Sequence, residues 1–122
     1  MQHLGDAAAG GLAIEPTMEY GQAVVRVTGE LDLATVGILE QTVQDLLASG
    51  CPGVVLDLRE LAFIDSTGLR MLLRLDDLAS DCGRRFGIVE GTGPVRRLLR
   101  LTGLDARFAA DARTSVGASP QR

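Results

Sequence analysis

The chain has 122 residues, 46% of them apolar and 23% charged, with a net charge of −4. That balance suits one globular domain with a real core and gives no electrostatic support to nucleic-acid binding. No apolar run approaches the ~20 residues that span a bilayer, and the only histidine is His3, so a Ser–His–Asp triad, a Cys–His pair and a His-based zinc site are all excluded.

Residues 1–11 read as a flexible lead-in, and they lack the basic segment and apolar stretch of a secretion signal, so a cytosolic location is expected. Residues 12–20 have weak strand character interrupted by Pro16, which suits an edge strand. After the turn at Gly21-Gln22, Ala23-Val24-Val25-Arg26-Val27-Thr28 reads as the first strong strand and should form an antiparallel hairpin with the one before it. Gly29-Glu30-Leu31-Asp32 is a loop, with Asp32 or Thr35 able to cap the segment that follows. Residues 34–49 form an amphipathic helix with Val36, Leu39, Val43, Leu46 and Leu47 on one stripe, Ile38 pointing away, and Gly50 and Pro52 ending it.

Residues 53–58 are apolar enough for a strand covered on both faces. A short loop then ends in Asp65-Ser66 and opens into a helix running to Asp81-Cys82-Gly83. On a helical wheel Gly68, Met71, Leu72, Leu75, Leu78 and Ala79 lie opposite Ser66, and Arg70, Arg74, Asp77 and Asp81 lie next to it. Leu69 and Leu73 fall on the other flank, either as a docking stripe for a partner or as a surface covered by the domain itself. A fourth strand follows at Phe86-Gly87-Ile88-Val89. Gly91-Thr92-Gly93 leads into a helix over 95–102 with Val95, Leu98 and Leu99 inward and Arg96, Arg97 and Arg100 outward, a solvated face or a phosphate or partner patch. The P-loop pattern with its lysine is absent. Ala106-Arg107-Phe108 reads as a last edge strand, and the tail beyond it as frayed. Cys51 and Cys82 have no metal-ligand spacing and read as reduced thiols.

The order β-β-α-β-α-β-α predicts an α/β fold: a mixed, mostly parallel sheet of four to five strands with an antiparallel N-terminal edge strand, packed with helices. The expected division is a tail over 1–11, one domain over 12–110 and a tail over 111–122. Ser66 stands out. It is a hydroxyl at a helix N-terminus, where free N–H groups and the helix dipole favour an anion. It reads either as a phosphorylation switch or as part of an ordinary cap made by Asp65 or Ser66.

Val54-Val55-Leu56-Asp57-Leu58 followed by Phe63-Ile64-Asp65-Ser66-Thr67-Gly68-Leu69 resembles the signature of STAS domains, in particular bacterial anti-sigma factor antagonists. Thr28-Gly29-Glu30-Leu31-Asp32 resembles the second motif of that family. The resemblance implies a non-enzymatic regulator of stress transcription that works by partner switching, with no cofactor and no metal. The unphosphorylated form would bind an anti-sigma factor, a serine kinase of the histidine-kinase-like ATPase fold, and free a sigma factor. Phosphorylation of the serine matching Ser66 would end the binding, with Thr67 a secondary candidate, and a metal-dependent serine phosphatase would reverse it. Glu30, Asp32 and Asp65 match the family's partner-contact positions, and Ser66, Thr67, Gly68, Leu69 and Leu73 complete the expected surface. The expected protein is a monomer or weak dimer that binds neither nucleic acid nor membrane. Relatives often end in a helix packed on the sheet, which here is expected to be short or missing. The alternative is a STAS interaction scaffold, of the stressosome type or as a transport-complex subunit.

Overall fold

β-Branched residues at alternate positions build the centre of the sheet. In the computed structural model residues 2–3, 7–9 and 11–112 are described, with side chains over 11–108. The elements in order are β1 (Gln2–His3), β2 (Ala7–Ala9), β3 (Leu12–Glu19), β4 (Gln22–Leu31), α1 (Val36–Ala48), β5 (Gly53–Asp57), β6 (Leu61–Ile64), α2 (Ser66–Asp81), β7 (Arg85–Val89), α3 (Pro94–Thr102) and α4 (Asp105–Ala112). Seven segments fill five positions across one sheet, because β1 and β2 both pair with β3, and β5 and β6 both pair with β4. β3 and β4 are an antiparallel hairpin closed at Tyr20-Gly21, where both residues have positive φ, 53° and 81°. β5, β6 and β7 run parallel to their neighbours.

Val25, Leu56 and Ile88 stand in register across β4, β5 and β7, all buried in one core cluster with the apolar faces of the helices. α1 contributes Val36, Leu39, Val43 and Leu47 to that core. Ile38, expected outside, is half-buried against it. α1 and α2 are joined by a two-point ion pair in which Arg74 Nε and a terminal nitrogen each reach a Glu40 carboxylate oxygen at 3.1 Å.

Several expectations change. Residues 29–31, expected as loop, are the last part of β4, because they pair with β3 at Gly29 and with β6 at Gly29, Glu30 and Leu31. Part of the flexible lead-in pairs with β3 as β1 and β2, so β3 is not the outermost segment. Residues 61–64, expected as loop, form β6, because β4 is long enough to offer Gly29, Glu30 and Leu31 to a second parallel strand. Residues 106–108, expected as an edge strand, lie inside α4. Phe108 there is buried edge-on to Phe86, with ring centroids 6.4 Å apart. The C-terminal helix is therefore present and short, eight residues long, and it starts at Asp105 rather than near residue 111. The expected tail beyond Ala112 lies outside the described residues.

On the opposite sheet face, register partners of the core rows carry charge: Arg26 pairs with Asp57 across β4 and β5. Asp57 is buried and gripped by Arg59, with Nε to Oδ1 at 2.9 Å and a terminal nitrogen to Oδ2 at 2.8 Å. Burial pushes the Asp57 carboxyl up, but hydrogen bonds from the Arg59 side chain and backbone N–H, with the charges of Arg59 and Arg26, outweigh it and hold the group below its ordinary 3.8. A lowered folded-state value stabilises the fold fully above the ordinary carboxylate range, and that stability is lost as pH falls through 3.8 toward the lowered value. Arg59→Gln should therefore cost about 1–3 kcal/mol near neutral pH by leaving a buried carboxylate without its guanidinium and with only the backbone N–H of residue 59. Urea unfolding from pH 6 to 3 should also show a shallower acid loss than in the wild type. Identical pH profiles for the two proteins would disprove the clamp.

Candidate functional site

Asp65, not Ser66, caps α2. Its backbone is extended, and its Oδ1 accepts the Gly68 N–H at 3.1 Å while its carbonyl accepts the Leu69 N–H at 3.0 Å. Ser66 is thus the first helical residue. The N–H groups of Ser66 and Thr67 precede any intrahelical acceptor. The Ser66 side chain is exposed, and among the described residues its hydroxyl has no hydrogen-bond partner. Between the two expected readings of this serine, the cap belongs to Asp65 and the hydroxyl is left accessible.

The end of β4 and the turn after it are drawn to the same place by the sheet. Glu30 stands opposite Phe63 and Leu31 opposite Ile64 in the β4–β6 pairing, and the Asp65 N–H donates to the Leu31 carbonyl at 3.3 Å. Beyond Leu31 the chain is tied by Thr35, which is 3% exposed. Its hydroxyl donates to the Glu30 carbonyl at 2.9 Å and accepts the Asp32 N–H at 3.0 Å. Asp32 Oδ1 accepts the Ala34 N–H at 3.0 Å, so Asp32 makes the turn into α1 and Thr35 braces it from within. Glu30, Asp32 and Asp65 are therefore carried on segments that the β4–β6 pairing and the Asp65–Leu31 hydrogen bond bring together near the start of α2, and they give this end of the sheet a negative character that disfavours an acidic partner.

Gly68 makes the close approach possible. A Cβ there would lie 2.9 Å from Ile64 Cγ1 and 3.1 Å from the Leu31 carbonyl oxygen. Gly68→Ala should destabilise by about 1–3 kcal/mol despite the better helix propensity of alanine, because overpacking outweighs the ~1 kcal/mol that propensity returns. A chemical-denaturation midpoint above that of the wild type would refute the close packing.

Of the expected partner stripe, Leu69 is only 7% exposed and sits in the core cluster, and Leu73 is half-buried against it. Further along α2, Asp76 and Asp77 are tied to α4. Arg107 Nε reaches Asp76 at 2.6 Å and a terminal nitrogen reaches Asp77 at 2.9 Å. The exposed large apolar groups on the segments next to Ser66 are instead Phe63, 46% exposed, and Leu33, 78% exposed. Sequence reading missed both. The signal available was their position: Leu33 directly follows the Gly-Glu-Leu-Asp loop, and Phe63 is the residue opposite Glu30 once β6 is recognised as a strand. Gly91-Thr92-Gly93 stands next to Arg59 rather than to Ser66, since a Cβ on Gly91 would lie 3.0 Å from Arg59 Cγ.

The family described as "Mlab, STAS domain" matches residues 15–110. The anti-sigma-F factor antagonist RsfB of Mycobacterium tuberculosis is 33% identical over 88 residues, covering 72% of this chain and 71% of its own length. The anti-sigma F factor antagonist of Paenibacillus polymyxa is 33% identical over 94 residues, covering 76% of this chain and 80% of its own length. Among solved structures, an anti-sigma factor antagonist from Mycobacterium paratuberculosis superposes with a TM-score of 0.72 at 34% identity, over 86% of this chain and 93% of that one. The chain belongs to the STAS domain family and groups there with the bacterial anti-sigma factor antagonists.

Proposed function

We propose that this domain captures an anti-sigma factor through the surface formed by Glu30, Asp32, Leu33, Phe63, Asp65, Ser66 and Thr67, and that phosphorylation of Ser66 ends the capture. The observation that carries the reading is an exposed serine hydroxyl without a partner among the described residues, placed as the first residue of α2 beside an Asp65 cap. The names of the relatives support the partner class. The anti-sigma factor is a serine kinase of the histidine-kinase-like ATPase fold, and a metal-dependent serine phosphatase restores the hydroxyl. The domain is a regulator rather than an enzyme and acts in the cytoplasm. Among the described residues no helix is long and apolar enough to cross a membrane.

A phosphate on Ser66 adds about −1.5 to −2 charge at neutral pH. The free N–H groups of the first turn of α2 tolerate it, so the fold persists. The partner does not tolerate it. Its groups would meet added charge and three hydrated oxygens next to Asp65, where an apolar contact with Phe63 had excluded water. Leu69 lies in the core and is not part of this surface, and Leu73 is at most at its border.

The test is reconstitution with the host's anti-sigma factor. Wild type and Ser66→Ala should bind it, and Ser66→Asp should bind at least about a hundredfold more weakly, as expected for a charge forced into a desolvated contact. ATP should release the wild type but not Ser66→Ala. Equal capture by all three proteins would overturn the switch and favour a scaffold.

A further inference from the structure

The large apolar side chains exposed among the described residues are Tyr20, Leu33, Phe63 and Leu101. Tyr20 is at the tip of the β3–β4 hairpin. The other three fall on two patches of opposite charge. Leu33 and Phe63 stand among Glu30, Asp32 and Asp65. Leu101, 78% exposed, stands on α3 beside Arg97 and Arg100. With Val95 at zero on the wheel of α3, buried Val95 and Leu99 lie within about 40°, while Arg100, Arg97 and Leu101 lie at about 140° to 240°. The inner side of α3 packs toward β6, so the patch points away from it. Arg96 reaches Glu90 at 3.9 Å, but Arg97 and Arg100 have no ion-pair partner among the described residues.

We infer that the α3 patch of one copy docks on the Ser66 surface of a second copy, Leu101 against Leu33 and Phe63, and Arg97 and Arg100 against Glu30 and Asp65. Both halves are present on this chain with matching chemistry: an apolar centre on each, guanidiniums around one and carboxylates around the other. The patches are different surfaces, so the contact is head to tail and does not close into a symmetric pair. Only a few side chains take part, well short of a stable dimer interface, so the association is weak and most evident at low salt. Its consequence rests on the function proposed above: self-association covers the surface assigned to the anti-sigma factor, and the two exclude each other. A phosphate on Ser66 would face the two arginines and strengthen self-association while it weakens capture.

Sedimentation velocity on the full chain, from about 10 μM to about 1 mM, covers the range in which so small an interface binds. Average mass should rise with concentration and fall with added salt. Arg97→Glu/Arg100→Glu and Glu30→Gln/Phe63→Ser should each associate at least about tenfold more weakly. An equimolar mixture of the two should give a 1:1 dimer and nothing larger, because each variant supplies one intact patch. Leu101→Ser, a change on an exposed helix face, gives a second α3 variant with the same expectation. A wild type that stays monomeric, variants that associate like the wild type, or a mixture that forms no dimer would each overturn the inference. The Arg97→Glu/Arg100→Glu protein should still capture the anti-sigma factor. Failure of capture by the wild type would refute the function proposed above and leave the sedimentation result standing.

Discussion

Phe108→Ala should lower the unfolding free energy by about 3–5 kcal/mol, the cost of emptying a fully buried aromatic site, and the melting temperature by roughly 15–25 °C for a domain of this size. Phe108 has no exposed surface, and its ring meets Phe86 of β7 edge-on, the planes inclined at 68°. The Arg107 guanidinium lies 5.9 Å from the centre of the same ring and also holds Asp76 and Asp77 on α2. Truncation would therefore remove the seat of α4 and loosen its ion pairs to Asp76 and Asp77 on α2. Phe108→Leu, which keeps most of the volume, should cost much less. A loss below about 1 kcal/mol for the alanine variant would show that α4 frays independently of the sheet.

Gly29→Ala should be nearly as damaging, by about 2–4 kcal/mol. Gly29 has φ of 102°, where an L side chain is strained by about 1–2 kcal/mol. A Cβ there would also fall on the backbone carbonyl of Gly11, the group that accepts the Glu30 N–H at 3.0 Å. Backbone cannot step aside as the end of a side chain can, so the β3–β4 pairing must open at this point and its hydrogen bond, worth about 1 kcal/mol, is lost. The register break in the β4–β6 pairing falls between Gly29 and Glu30. The variant should therefore lose anti-sigma capture beyond what its reduced stability explains, because Glu30 and Phe63 are positioned by that break. Normal stability measured by urea titration would contradict the contact.

The elements read best from sequence are those whose signal is local. The stripe of Val36, Leu39, Val43 and Leu47, the apolar run at Val54-Val55-Leu56 and the aspartate before Ser66 each declare a helix, a strand and a cap within a few residues. Failures came where the cause is distant. β6 shows buried Leu61 and Ile64 around exposed Ala62 and Phe63, which is no alternation at all; it is a strand because β4 extends far enough to pair with it. Ala106-Arg107-Phe108 has an aromatic that suits a strand, but Phe108 finds its place against Phe86 from a helix. The burial of Leu69 and Leu73 is equally illegible locally, because it depends on which distant side chains reach that flank, and the exposed apolar groups beside the serine are Phe63 and Leu33 instead. The serine was legible from its neighbours. That its hydroxyl is left free was not, since it depends on Asp65 taking the capping bond.

β4 shares one of its long edges between β5, at residues 23–26, and β6, at residues 29–31. The first half carries the buried rows of the sheet and the second half carries Glu30 of the proposed recognition surface. Substitutions at Glu30, Leu33, Ala62 or Phe63 alter exposed side chains without entering the Val25, Leu56 and Ile88 row. A lineage built on this plan can drift toward a new partner, one surface residue at a time, without crossing an unfolded intermediate. After duplication, sister copies in one cell can separate their signalling while keeping the same architecture.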